Sequence, residues 1–498
     1  MGAMPPPPPA RIRRALDLVL VASAATFALA YVATALLRIS YPFELEWMEG
    51  GMVDHVRRIL EGKPIYAAPS LEFVSFLYPP LYYVAAAGFA KVLGLGFLPL
   101  RLLSLLSSVG VLAFIFSTVR RETGQAVPAV VASGLFAAFY AVAGSWYDLA
   151  RLDSFYLLLL LCGIRLLRSA ASPPRAAAAG LLLAAAFFTK QSALVVFVPL
   201  AAYALLEDMR RGLAFSATGV ATGLGGVALL NAMSGGWFSY YCFQIPARHP
   251  RLHGGSMAFW TTDVFPTLLP ATAGTILLAA WTVRQGDERK RLFLPFLAAG
   301  MIASSWSVRS VVGAEVNNLL PALAGFAVVL GSGWGLLRAG GPEEGTSRRR
   351  AAEWATGALL VAQLALLVYD PRRLIPTPAD RAAGERVVSR IAAISGDVFI
   401  PHHAYLARLA GKSGSAHTLA MDNVFLDDAG PRREELAGEM IGAMRARRYA
   451  AVVMENDGRY KEAILEGYAP SERLFDSPDV FWPVTGGRLR PEILCLPR

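Results

Sequence analysis

Apolar runs about 20 residues long, enough to cross a ~30 Å hydrocarbon layer as helix, recur through the first three quarters of this 498-residue chain. No other feature constrains the fold as strongly. In lipid every backbone N–H and C=O must be satisfied within the protein, and continuous apolar runs do so as helices. The runs fall near 15–37, 101–118, 126–145, 154–168, 176–188, 192–206, 213–234, 263–283, 292–308, 318–337 and 352–369. We therefore expect a polytopic α-helical membrane domain of about 11 transmembrane helices over 1–369, with a large first extracytoplasmic loop over 38–100 that carries interfacial helices. Beyond 370 the apolar runs shorten and charge becomes dense, which predicts a soluble α/β domain over 370–498. There GERVVSRIAAIS and EELAGEMIGAMRARR read as helices, and DVFIP and YAAVVMEN as strands.

The net charge of +10 is located in the membrane part, because 370–498 holds 18 basic and 18 acidic residues. A neutral soluble domain argues against nucleic-acid binding, which needs its own basic patch. With eleven helices, the segments expected in the cytoplasm carry 18 of the remaining 29 Lys and Arg, including RKR at 289–291 and RRR at 348–350. That asymmetry obeys the positive-inside rule. It puts the N-terminus in the cytoplasm and the C-terminal domain outside an inner (plasma) membrane. Stretch 79–98 would invert this pattern if it crossed, so it reads as a helix lying on the outer surface, with Tyr82, Tyr83 and Lys91 near the headgroups.

On this topology the polar residues collect on the outer side. FELEWMEGGMVDH supplies Glu44, Glu46, Glu49 and Asp54 directly after the first run. Arg101 opens the second helix, WYDLARLD gives Asp148, Arg151 and Asp153, and Lys190-Gln191 forms a hairpin tip. HPRLH and SVRSVVGAEVNN add His249, His253, Arg309, Glu315, Asn317 and Asn318. Ionisable residues at membrane depth mark functional sites by default. Carboxylates beside cations suit group transfer from a lipid phosphate, with a carboxylate as general base and Arg or Lys on the departing phosphate. Trp47, Tyr78 and Tyr82 offer rings to a sugar. If helical, Glu46 and Glu49 share a face, where they could hold one proton or a divalent ion together.

The stretch ELEWMEGGMVDHVRRILEGKPIYAAPSLEFVSFLYPPLYYVAAAGFAKVLGLGFLPLRLLS places Glu46/Glu49, Gly62, Pro79-Pro80-Leu81 and Arg101 in an order that resembles the first outer loop of GT-C glycosyltransferases. These are polyprenyl-phosphate-sugar-dependent enzymes related to aminoarabinose transferases and protein O-mannosyltransferases. WYDLARLDS, FFTKQSAL and GAEVNNLLP extend the resemblance, and they resemble an uncharacterised bacterial branch more than the named transferases. It departs where the family usually has adjacent Asp-Glu and this chain has the spaced ELEWME.

The resemblance implies a membrane hexosyl- or pentosyltransferase of cell-envelope glycan biosynthesis, inverting, moving a sugar from a polyprenyl phosphate to a glycan, lipid or protein acceptor. It implies Glu46 or Glu49 as the base with Asp153 in support. Arg101, Arg151 and Lys190 would hold the donor phosphate, and Gln191, Tyr82, Arg309 and Asn317 would complete the donor site. It implies either no metal or a divalent cation, depending on branch. Two other readings stay open: a non-catalytic GT-C-like assembly protein, and a lipid flippase or transporter, although no internal repeat is evident.

His402, His403 and His417 lack cysteines or carboxylates at ligand spacing, so no metal site is expected there. GKSGS at 411–415 falls short of a phosphate loop. Cys162, Cys242 and Cys495 form no framework.

Overall fold

A computed structural model of the chain describes residues 10–251, 254–284, 292–339, 347–427 and 430–498. The Pro-rich start, RKR at 289–291 and His253 lie outside these residues.

Helices occupy all eleven expected ranges: α1 (Ala10–Arg38), α4 (Phe97–Thr123), α5 (Ala126–Ala138), α6 (Asp153–Arg168), α7 (Pro173–Phe187), α8 (Ala193–Glu207), α9 (Met209–Met233), α10 (Gly255–Arg284), α11 (Phe293–Arg309), α12 (Leu320–Ala339) and α13 (Ser347–Leu366), with α2 (Glu49–Leu60) and α3 (Leu81–Leu93) in the first loop. Among the described residues α1, α4, α9, α10 and the Val316–Ala339 segment containing α12 are long and apolar enough to cross a membrane. Helix α13 qualifies only together with Pro371–Ala392, across a 58° bend. Helices α5, α7 and α8 are apolar but shorter.

Small residues set the packing. A Cβ on Gly134 of α5 would lie 2.5 Å from the Ala24 Cα of α1, and one on Gly180 of α7 would lie 2.4 Å from the Phe215 carbonyl of α9. Backbone contact this close is how helices associate in lipid, where hydrophobic driving force between them is absent. The segment containing α12 is 94% buried and forms the hub of the bundle.

Two expectations are corrected. The helix expected over 126–145 ends at Ala138, and the chain then passes through turns to Gly144 (φ 69°) and Ser145 (φ 60°), both left-handed. Helix α3 does lie where 79–98 predicted a helix, but Tyr82 and Tyr83 are fully buried rather than set among headgroups. Tyr83 stacks on His55 of α2 with ring centroids 4.7 Å apart, while Lys91 stays exposed. One face of α3, with Tyr82, Tyr83, Ala86, Ala87 and Ala90, is thus spent on the protein, while Val84, Val92 and Leu93 stay exposed.

The C-terminal part carries a four-stranded sheet, ordered β1 (Val398–Phe399), β2 (Ala451–Glu455), β4 (Pro491–Pro497), β3 (Tyr468–Arg473), parallel at β1–β2 and antiparallel elsewhere. It shares one core with the first loop: Met52 and Val56 of α2 and Ala87 of α3 cluster with Met421, Val452 and Ile464. Arg408 pairs with Asp54 at 2.7 Å across the same boundary.

Candidate active site

Two buried arginine forks build the frame of the site. Arg101 of α4 donates to both Glu49 oxygens, at 2.9 and 2.6 Å, and Glu49 also accepts from the Leu45 and Ala150 amides, each at 2.7 Å. Arg38, the last residue of α1, donates to both oxygens of Asp148 at 2.8 and 2.7 Å, and Tyr140 adds a third bond at 2.6 Å. Both arginines are completely buried. Bidentate pairing with further hydrogen bonds to the carboxylate, two at Glu49 and one at Asp148, is what makes buried charge tolerable. The forks lock the first loop to the turn between α5 and α6.

Glu46 and Glu49 do not share a helical face. Helix α2 begins at Glu49, so Glu46 lies in the turn before it and points elsewhere, toward Arg151. Glu46 is fully buried, 3.6 Å from Arg151, and neither of its oxygens has a hydrogen-bond partner among the described residues. Burial, opposed by Arg151 and reinforced by the nearby Glu49 and Glu44 charges, pushes its carboxyl up to about 8. Gly486 closes over it from the C-terminal part: a Cβ there would sit 2.9 Å from Glu46 Cγ, and the Val484 amide donates to the Leu45 carbonyl at 3.0 Å.

Arg151 is held loosely by comparison with Arg38 and Arg101. Its guanidinium lies 4.8 Å from the Trp146 ring and donates to Met48 Sδ at 2.8 Å and Tyr78 Oη at 3.3 Å, while Nε is unpartnered. It lines a cavity of about 790 Å³ together with Lys190, Gln191, Asn317 and Asn318. Lys190 Nζ donates to Asp153 Oδ1 at 2.7 Å and Asn318 Oδ1 at 2.8 Å, and Asn317 Nδ2 steadies the same Asp153 oxygen at 3.0 Å. An ammonium has three donors, so one remains for a ligand. Trp47 and Tyr78 also line the cavity.

Other expected site residues lie elsewhere or are partly committed. Arg101 is consumed by Glu49 and is not in the cavity wall, so the expected phosphate contact is closed to it. Tyr82 is buried against Leu100 and Ser104 and offers no ring to a sugar. Arg309 forks onto Asp263 at 2.8 and 2.9 Å, outside the cavity lining. Gln191 spends its amide N–H groups on the Leu77 and Cys242 carbonyls, at 2.6 and 3.0 Å, leaving its oxygen.

Five contributors were not legible in sequence. Arg38 reads there as the end of a span. Met48 and the residues Asp422, Asn423 and Arg459 of the C-terminal part carry no motif, yet all four line the cavity. The histidines also gain carboxylates that linear spacing hides: His402 meets Asp457 at 3.1 Å, and His403 meets Glu44 at 2.5 Å. Among the described residues no group of three or more His, Cys, Asp or Glu is placed to hold a metal ion.

Fold and site together define a multi-pass membrane protein with a cation-lined cavity between its helical bundle and its C-terminal part. The family model described as dolichyl-phosphate-mannose-protein mannosyltransferase matches residues 78–235. No curated protein matches the chain by sequence. Among solved structures, ArnT from Cupriavidus metallidurans bound to undecaprenyl phosphate superposes with a TM-score of 0.57 at 13% identity, covering 96% of this chain and 97% of that one. Its apo state gives 0.58 at 13%, covering 95% and 97%. Along nearly its whole length the chain has the fold of that ArnT, and residues 78–235 match the mannosyltransferase family model.

Proposed function

We propose that the protein transfers a sugar from a polyprenyl phosphate to a hydroxyl acceptor on the extracytoplasmic side of the membrane. The observation that carries this reading is a cavity lined by two incompletely used cations, Arg151 and Lys190, with a buried carboxylate free of hydrogen bonds, Glu46, 3.6 Å behind Arg151. The undecaprenyl phosphate bound by the Cupriavidus ArnT supports a donor of this type.

In the reaction Glu46 takes the proton of the acceptor hydroxyl as its oxygen bonds to the anomeric carbon. The bond from that carbon to the phosphate oxygen breaks, and its electron pair leaves with the phosphate. Arg151 and Lys190 stabilise the second negative charge that the phosphate gains. Attack from the face opposite the phosphate inverts the anomeric centre. Glu49, with all its acceptor positions filled, serves as an anchor for Arg101 and the loop. Asp153, Asn317 and Asn318 position Lys190. No step here uses a divalent cation.

Glu46→Gln is expected to lower transfer by about 10²–10⁴-fold, the range for loss of a general base, while undecaprenyl phosphate still binds. Lys190→Met is expected to lose that binding. Full transfer by Glu46→Gln would exclude this assignment. Glu46 does not itself line the cavity, which favours a non-catalytic role as the second reading. Undecaprenyl phosphate binding with no transferred sugar in the wild type would select it.

A further inference from the structure

The cavity has a wall that the phosphate chemistry does not use. The helix Thr418–Phe425 of the C-terminal part presents Leu419, Asp422, Asn423 and, one residue beyond it, Leu426. Their spacing of three to four residues puts them on one face. This helix is hung from the first loop: His417 caps it, stacks on Trp47 with centroids 5.3 Å apart, and bonds the Trp47 carbonyl at 3.0 Å.

The polar groups on this wall are built rather than incidental. Asp422 accepts from Tyr460 at 2.9 Å and pairs with Arg459 at 3.2 Å. Tyr460 holds a left-handed backbone (φ 57°), a conformation costly for a side chain of that size and common where function fixes geometry. Asn423 is more than nine-tenths buried, lines the cavity, and its amide has no hydrogen-bond partner among the described residues.

The charges of Asp422 and Arg459 cancel, so this wall does not suit a phosphate, which Arg151 and Lys190 already serve. A carboxylate, an amide and a guanidinium beside an indole suit the ring of a neutral sugar: its hydroxyls both donate and accept, and its C–H face packs on an aromatic. We propose that Asp422, Asn423 and Arg459 form a subsite of the C-terminal domain for a neutral sugar ring, separate from the phosphate subsite. This deepens the transferase reading and rests on it for the origin of the sugar, which is either the acceptor glycan or the donor.

The test uses the full chain in lipid nanodiscs with octyl glucoside, mannoside and galactoside, undecaprenyl phosphate, and undecaprenyl-phosphate mannose as probes. At least one glycoside is expected to bind, and Asn423→Ala and Asp422→Asn each to weaken it tenfold or more. Both variants are expected to leave undecaprenyl phosphate within twofold, with Lys190→Met showing the reverse pattern. Unchanged binding of undecaprenyl-phosphate mannose would identify the acceptor as the source, and parallel weakening the donor sugar. The subsite is overturned if no glycoside binds the wild type, if neither variant weakens it, or if both variants lose undecaprenyl phosphate as Lys190→Met does. Glycoside binding that depends on Asn423 in a protein that binds no undecaprenyl phosphate would sink the transferase reading and leave the subsite standing.

Discussion

At the scale of single residues, the site sorts its carboxylates by what faces them. Glu49 is given four hydrogen bonds and becomes structure, whereas Glu46 is given none and is left with a proton affinity tuned by burial against Arg151. A base must be deprotonated to act. With the Glu46 carboxyl pushed up to about 8, kcat/KM for transfer is expected to rise with pH through that value and level off above it. Arg151 pulls the value down, so Arg151→Met should move the rising limb to higher pH in whatever activity remains, and Glu46→Gln should remove the limb. A flat profile in the wild type would count against Glu46 as the base. Glu46 was legible from ELEWME as one of two candidates. The choice between them was not, because it depends on where α2 starts and on two arginines about 50 and 100 residues away in sequence.

At the scale of elements, small residues decide which helices touch. The Gly134–Ala24 contact is between backbones, which cannot retreat as a flexible side chain can. Gly134→Leu is expected to separate α1 from α5 and to lower the thermal unfolding temperature of the purified protein by several degrees. The same change at Gly223, where an added Cβ meets nothing within 4 Å, should be near neutral. Equal behaviour of the two variants would mean that lipid fills the gap at no cost. The eleven helix ranges were readable because apolar runs of this length have one economical backbone solution in lipid. The early end of α5 was not, since residues 139–143 are as apolar as the helix before them and no Gly or Pro comes between Ala138 and Gly144 to mark it. The buried tyrosines of α3 were missed for a related reason: an apolar amphipathic stretch shows that it has a face to bury, and says nothing of whether lipid or protein covers it.

At the scale of the whole molecule, the helical bundle and the C-terminal part meet over the first loop, and the cavity is walled by all three. The proposed orientation puts Asp476 outside and Arg175 in the cytoplasm, and both are exposed. In a background lacking Cys162, Cys242 and Cys495, a membrane-impermeant thiol reagent on intact cells is expected to label Asp476→Cys and to reach Arg175→Cys only after lysis. The opposite pattern would invert the topology and remove the transferase reading with it.

The sequence by itself determined that this chain lives in a membrane, where its helices run, that a charged loop follows the first of them, and which motifs invite comparison with GT-C enzymes. These are local properties, set by hydropathy over a helix length and by short strings of residues. Only the tertiary structure decided which arginine answers which carboxylate, that Arg101 and Arg309 are committed while Arg151 and Lys190 keep capacity for a ligand, and that Asp422 and Asn423 join the cavity. Charge pairing in a buried site is set by distances between segments far apart in the chain, and such distances exist only once the helices have packed.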